Sequence, residues 1–237
     1  MDKVETLKQW VDDSQRIVFF GGAGVSTESG IPDFRSASGL YNQKHLYPPE
    51  MIISHRFYRE KTEVFFDFYR DKMMYLNAEP NITHKKLVQW EQAGKDVAVV
   101  TQNIDGLHQK AGSKTVYELH GSIMRNYCTR CGKFHSAQFV KASKGVPYCE
   151  CGGVIKPDVV LYDEPLDAQT VDNTLAAIRS ADMLIIAGTS LTVYPAAGFI
   201  GYFPGKYMVL INRDETPFDF KVDMVINDSL GNVFSRL

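Results

Sequence analysis

The chain has 237 residues, 44% of them hydrophobic and 23% charged, which excludes a disordered chain, a collagen and a coiled coil. Its 26 basic and 28 acidic side chains leave a formal charge of −2, a balance that argues against a dedicated nucleic-acid binder. Apolar runs such as Met183–Ala187 fall far short of the ~20 residues a bilayer requires, and Met1–Glu5 opens with no basic head or apolar leader, so no membrane partner and a cytoplasmic location are expected.

In chain order, Val4, Leu7 and Val11 recur at helical spacing and predict an amphipathic helix over 2–13. Ile17–Phe20 is apolar without alternation, the pattern of a strand buried on both faces of a parallel sheet. Runs of the same character follow at 97–101, 116–119, 159–162, 183–188, 207–211 and 224–227. Between them lie a helix over 84–93, with Thr83 as N-cap and Gly94 as C-cap, and another over 167–180. The alternation predicts an α/β fold with a Rossmann-like, doubly wound parallel sheet. Two segments interrupt it: 36–77, rich in aromatic residues at helical spacing, and 123–157, which holds all four cysteines. The sheet domain is thus expected to comprise 1–35, 78–122 and 158–237, with the two excursions building a smaller helical and zinc-binding domain.

Gly22-Ala23-Gly24 follows the first strand and is expected to open a helix, where an α/β sheet binds a pyrophosphate because the backbone can approach the anion. Alone it could be only a turn. It also departs from the dehydrogenase fingerprint: Thr27 stands where a third glycine would fall, and no ribose-binding acid ends a second strand ~20 residues on. A dinucleotide, if bound, is held in another way.

Further polar groups sit at strand ends. Thr101-Gln102-Asn103-Ile104-Asp105 follows one strand; Asp105 could be a helix N-cap, while the amides of Gln102 and Asn103 suit sugar hydroxyls or a carboxamide. His120 follows the next strand, and an imidazole, which ordinarily titrates near ~6.5, could take a hydroxyl proton at neutral pH. Gly188-Thr189-Ser190 and Asn212 end two more strands.

Cys128-x-x-Cys131 and Cys149-x-Cys151 lie seventeen residues apart, with glycines after each pair. Free thiols and disulfides are the other possibilities, but Cys-x-Cys rarely pairs with itself, and two close pairs suit tetrahedral Zn²⁺. Four protein ligands leave no position for water, so one structural zinc is expected.

The stretch Gly22–Arg35, the stretch Thr101–His108, His120-Gly121, the paired cysteines, Gly188–Leu191 and Asn212 together resemble the sirtuins of bacterial type, NAD-dependent protein-lysine deacylases, over nearly the whole chain. The resemblance implies that NAD crosses the sheet ends with Gly22, Ala23, Gly24, Thr27 and Arg35 near its phosphates. Asp33, Gln102, Gly188 and Thr189 join the cofactor site, and Ser190 and Asn212 lie near the adenosine ribose. Leu230 is expected near the adenine. Phe34 covers the nicotinamide end, and Asn103, Ile104 and Asp105 surround the nicotinamide pocket, Asp105 accepting from the carboxamide. His120 is the implied general base, Asn103 a further catalytic residue, and free lysine, nicotinamide and O-acetyl-ADP-ribose the products. Phe34 and the segment after Arg35 are expected to keep water out.

The acyl-lysine peptide is expected to add as a strand between Val159-Val160-Leu161 and the neighbourhood of Val193. Where the family carries Phe-Gly-Glu, this chain has Tyr162-Asp163-Glu164. Where desuccinylases and demalonylases carry Tyr-x-x-Arg, it has Tyr69-Arg70-Asp71-Lys72, a lysine without the bidentate fork, so deacetylation is expected to dominate. The competing expectations are a protein mono-ADP-ribosyltransferase using the same cleft, a desuccinylase or demalonylase in which Tyr69 and Lys72 bind the acyl carboxylate, and a non-catalytic NAD- or zinc-dependent binding module.

Overall fold

A computed structural model describes residues 2–34, 39–42 and 46–237. The first helix, α1 (Lys3–Asp13), starts at Asp2, whose carboxylate accepts the Val4 N–H, and buries Val4, Leu7 and Val11. Six parallel strands form the main sheet: β1 (Arg16–Gly21), β2 (Asp96–Thr101), β3 (Thr115–Glu118), β7 (Met183–Ala187), β8 (Tyr207–Ile211) and β9 (Met224–Ile226). Their order is β3-β2-β1-β7-β8-β9. The chain winds outward one way from β1 and the other way from β7. The β1/β7 boundary is therefore the topological switch point, where the crevice at the carboxyl ends of the strands opens.

Alternate residues of β1 feed two cores. Ile17 and Phe19 pack with α1, α5 (Ile82–Gln92) and α9 (Leu230–Phe234) on one face. Val18 and Phe20 pack against Ile178 of α8 (Ala168–Ser180) and against the 3-10 segment Ala196–Tyr202 on the other. Burial on both faces explains the unbroken apolar runs. The helix expected over 84–93 begins earlier: the Asn81 side chain accepts the Thr83 N–H and shares a capping box with His84, so Asn81 rather than Thr83 is the N-cap. Ala93 is the C-cap, and Gly94 follows it with a left-handed φ of 92°.

The strand expected at 159–162 does not join the main sheet. Its first residue ends β6 (Ile155–Val159), which pairs antiparallel with β4 (Gly121–Cys128); β5 (Phe134–Ser136) lies on the other side of β4. Beyond Val159 the Leu161 N–H is taken by the Glu164 carboxylate at 2.9 Å, and Asp163 turns with φ 72°. An apolar run records burial but not which sheet supplies it. A third core joins Phe57, Phe65 and Tyr69, from helices α3 (His55–Glu60) and α4 (Thr62–Lys72), to Ile123, Val140 and Ile155 of the cysteine-bearing excursion. Val140 lies on α7 (Ala137–Ala142). Ahead of these helices, α2 (Pro49–Ile52) adds Ile52 to the same core.

Candidate active site

The glycine turn leaves β1 beside the turn that leaves β7. No helix of several turns follows it; instead come two short 3-10 turns, Ala23–Val25 and Thr27–Ser29, closed by Gly30. The Gly24 N–H donates to Gly188 O at 2.8 Å. A Cβ on Gly22 would lie 2.7 Å from Thr189 Cβ, and one on Gly24 2.8 Å from Gly188 Cα. The glycines let the two turns interlock at the switch point.

A cleft of about 730 Å³ opens there. It is lined by Gly22, Ala23, Gly24, Asp33, Phe34, Gln102, Asn103, Ile104, Asp105 and His120 from the first half of the chain, and by Gly188, Thr189, Ser190 and Asn212 from the second. Val159, Val160, Leu161, Tyr162, Val193 and Lys72 complete the set of expected residues that line it. Three expected residues are placed elsewhere. Thr27 is absent from the lining, its hydroxyl donating to Gly24 O at 3.0 Å. Leu230 starts α9 and is buried in the core beneath the sheet. Tyr69 is fully buried and stacked on Phe65, its hydroxyl buried without a partner among the described residues. The α4 face that carries Tyr69 packs into the aromatic core, so helical spacing reported core rather than site. Lys72, four-fifths of a turn further on, reaches the cleft and pairs with Asp71 at 3.1 Å. Arg35 lies outside the described residues.

Asn103, Ser26 and Asp105 form a relay. Asn103 Nδ2 donates to Ser26 Oγ at 3.1 Å, and Ser26 Oγ donates to Asp105 Oδ2 at 2.6 Å. The other Asp105 oxygen accepts the Leu107 N–H at 2.9 Å, at the start of α6 (Leu107–Ala111), whose N-cap is Gly106 rather than Asp105, so Asp105 both steadies the helix start and lines the cleft. Burial raises its pKa, against the two hydrogen bonds, and the nearby Glu118 adds to the rise. Ser26 is buried and had no role in the sequence reading; its position two residues after the glycine turn was the available signal.

His120 Nδ1 lies 2.9 Å from the carbonyl oxygen of Gln102. A carbonyl only accepts, so Nδ1 carries the hydrogen and Nε2 is the basic nitrogen. Burial lowers the His120 pKa, with the Gln102 bond opposing. Both effects of the site on this ring, the fixed tautomer and the lowered pKa, favour a neutral imidazole with a free Nε2.

Away from the cleft, the sulfurs of Cys128, Cys131, Cys149 and Cys151 all lie within 4.8 Å of one another. Individual separations are 3.4 Å (Cys128–Cys151), 3.8 Å (Cys131–Cys149) and 3.5 Å (Cys131–Cys151). An ideal tetrahedron with Zn–S of ~2.3 Å spaces its sulfurs about 3.8 Å apart, so the four thiols fit one zinc. No disulfide joins them.

The Sir2 family model matches residues 22–195, and the chain belongs to that family. An NAD-dependent protein deacetylase of Clostridium perfringens (strain 13 / Type A) is 56% identical over 240 residues, covering 100% of this chain and 98% of that one. Among solved structures, a Sir2 histidine-to-alanine variant with deacetylated p53 peptide and 3′-O-acetyl-ADP-ribose superposes with a TM-score of 0.91 at 34% identity, covering 98% of this chain and 96% of the other. A Sir2 complex with a p53 peptide and NAD⁺ gives 0.86 at 36% identity, covering 100% and 97%.

Proposed function

We infer that this chain is an NAD-dependent protein-lysine deacetylase, releasing nicotinamide and O-acetyl-ADP-ribose from acetyl-lysine and NAD. The observation that carries the reading is His120: a half-buried imidazole in the switch-point cleft, its tautomer fixed by Gln102 so that Nε2 is free to accept a proton. A binding module has no use for such a base.

The cleft fits NAD in volume and in donor set, with close-packed glycine turns at one end and amide, hydroxyl and carboxylate groups along the sheet edge. NAD supplies, when bound, an anomeric carbon from which nicotinamide departs and to which the acetyl oxygen bonds. Asn103, Ile104 and Asp105 hold the carboxamide, Ser26 orienting both polar side chains. Ser190 and Asn212 serve the adenosine ribose, and Gly22, Ala23 and Gly24 the phosphates. His120 Nε2 takes the proton from a ribose hydroxyl. Phe34 and the apolar wall of Ile31, Leu40 and Val160 limit water. The acyl-lysine of a protein substrate enters beside Val159–Tyr162 and Val193.

The helical excursion 36–77 and the cysteine excursion 123–157 form one small domain, a reading their shared core supports. Among the described residues no helix is long and apolar enough to cross a membrane. A cytoplasmic location accords with four cysteines arranged for metal rather than for disulfides.

Product analysis tests the reading. Mass spectrometry should find O-acetyl-ADP-ribose released from an acetyl-lysine peptide; ADP-ribose retained on protein would indicate a mono-ADP-ribosyltransferase instead. Because the Tyr69 hydroxyl is buried in the aromatic core, kcat/KM on a matched succinyl peptide should fall at least about tenfold, the scale of one lost charge-assisted contact. Equal efficiency on the two peptides would contradict it.

A further inference from the structure

Two phenol hydroxyls meet in the cleft: Tyr41 Oη and Tyr162 Oη are 2.9 Å apart. They come from opposite walls, and each is anchored by its own backbone. On one wall the Tyr41 N–H donates to Phe34 O and the Leu40 N–H to Asp33 O, both at 2.9 Å. The rings of Phe34 and Tyr41 also meet edge to face, with centroids 5.4 Å apart. Phe34 therefore follows Tyr41. On the other wall the Tyr162 N–H donates to Ile53 O at 3.0 Å and Tyr162 O accepts the His55 N–H at 2.9 Å, fixing Tyr162 to the α2–α3 junction. Behind it Glu164 binds His55 Nδ1 at 2.7 Å, Lys156 Nζ at 3.1 Å and the Leu161 N–H at 2.9 Å. The hydroxyl pair joins these two segments in a cleft whose lining is otherwise largely apolar.

We propose that the Tyr41–Tyr162 hydroxyl pair is a cross-cleft tie that positions Phe34 over the reacting end of the site and so sets how much NAD is lost to water. The proposal rests on the deacetylase reading and deepens it: Tyr41 and Tyr162 are positioning residues, acting through Phe34. When water adds to the anomeric carbon as nicotinamide leaves, the products are ADP-ribose, nicotinamide and a proton. When the acetyl oxygen adds, they are O-acetyl-ADP-ribose, nicotinamide and free lysine once one water has been consumed. The ratio of ADP-ribose to O-acetyl-ADP-ribose thus reports how well the closed cleft excludes solvent. A phenylalanine at position 162 keeps the ring and removes only the tie.

The test compares wild type, Tyr41→Phe, Tyr162→Phe and the double variant at saturating NAD and acetyl-lysine peptide, with both ADP-ribose products quantified by chromatography. Each single variant should raise the ADP-ribose share about two- to tenfold, the range a single neutral hydrogen bond spans. The double variant should match the singles rather than multiply them, since all three lack the same bond. A purely structural loss would lower both products together and leave their ratio unmoved. An unchanged ratio in the variants, or singles whose effects multiply, overturns the tie while wild-type deacetylation stands. Wild type that makes no O-acetyl-ADP-ribose defeats the deacetylase reading and the tie with it.

Discussion

His120 shows how one backbone contact can define a reactive atom. The Gln102 carbonyl settles which nitrogen carries hydrogen, and burial lowers the pKa, which favours the neutral base. The sign follows directly. Rate requires neutral imidazole, so kcat/KM for an acetyl peptide should stay level through neutrality and decline only as pH falls through a value under the ordinary ~6.5. An acid limb centred at or above that value would contradict the assignment. His120→Ala should cost at least about 100-fold in kcat, the lower end for loss of a positioned base. At the same scale the limits of sequence reading are visible. The place of His120, Asn103 and Asp105 in the cleft was legible because polar residues directly after buried strands have few structural uses. Tyr69 misled because an amphipathic helix places aromatic residues on one face whether that face meets a ligand or a core, and here it met Phe65. Tyr41 gave no signal, since a lone loop aromatic acquires meaning only from Tyr162, 121 positions away.

At the scale of elements, strand order and helix position depend on contacts that hydrophobic pattern does not record. Seven apolar runs were read as parallel strands, and six became so. The run at 159–162 left the main sheet: Val159 ends β6, and His120 O, the Glu164 carboxylate and Ile53 O take the amides of Val160, Leu161 and Tyr162. Helix α5 and helix α6 bring together two buried histidines, His84 and His108, with ring centroids 4.6 Å apart. His84 Nε2 and both His108 nitrogens have no partner among the described residues. Burial lowers the His84 pKa to about 4 and moves that of His108 well below its usual value. Both folded pKa values thus lie under the unfolded one, and between them the unfolded chain binds protons the native chain does not. Stability is therefore full above about pH 6.5 and should decline as pH falls toward 5, by roughly 2 kcal/mol at pH 5 from His84 alone, with His108 acting in the same direction. Urea denaturation at pH 7.5, 6 and 5 measures this, and the slope should flatten in His108→Leu; a pH-independent midpoint over that range would refute it. The cysteine element makes a separate prediction. Cys128→Ser should abolish the one equivalent of bound zinc and lower the melting temperature of the small sheet, read by metal analysis and circular dichroism. Retention of full zinc occupancy would show that Cys128 is not a ligand.

Considered whole, the molecule places its two kinds of chemistry apart. The four cysteines that fit zinc lie in an excursion, while the cleft of the proposed reaction opens where β1 and β7 diverge. The alternating pattern made the doubly wound sheet legible, and the paired cysteines made the metal legible, because each depends on local spacing. What spacing could not show was the shape between distant segments: the interlocked turns of Gly24 and Gly188, the Ser26 relay and the opposed phenols. The most direct measurement follows purified protein on an acetyl-lysine peptide with and without NAD, counting deacetylated peptide, nicotinamide and O-acetyl-ADP-ribose. Deacetylated peptide and O-acetyl-ADP-ribose in equal molar yield, nicotinamide matching them plus any ADP-ribose, and no deacetylation without NAD are expected. Free acetate released at an undiminished rate in the absence of NAD would contradict the reaction assigned to this cleft.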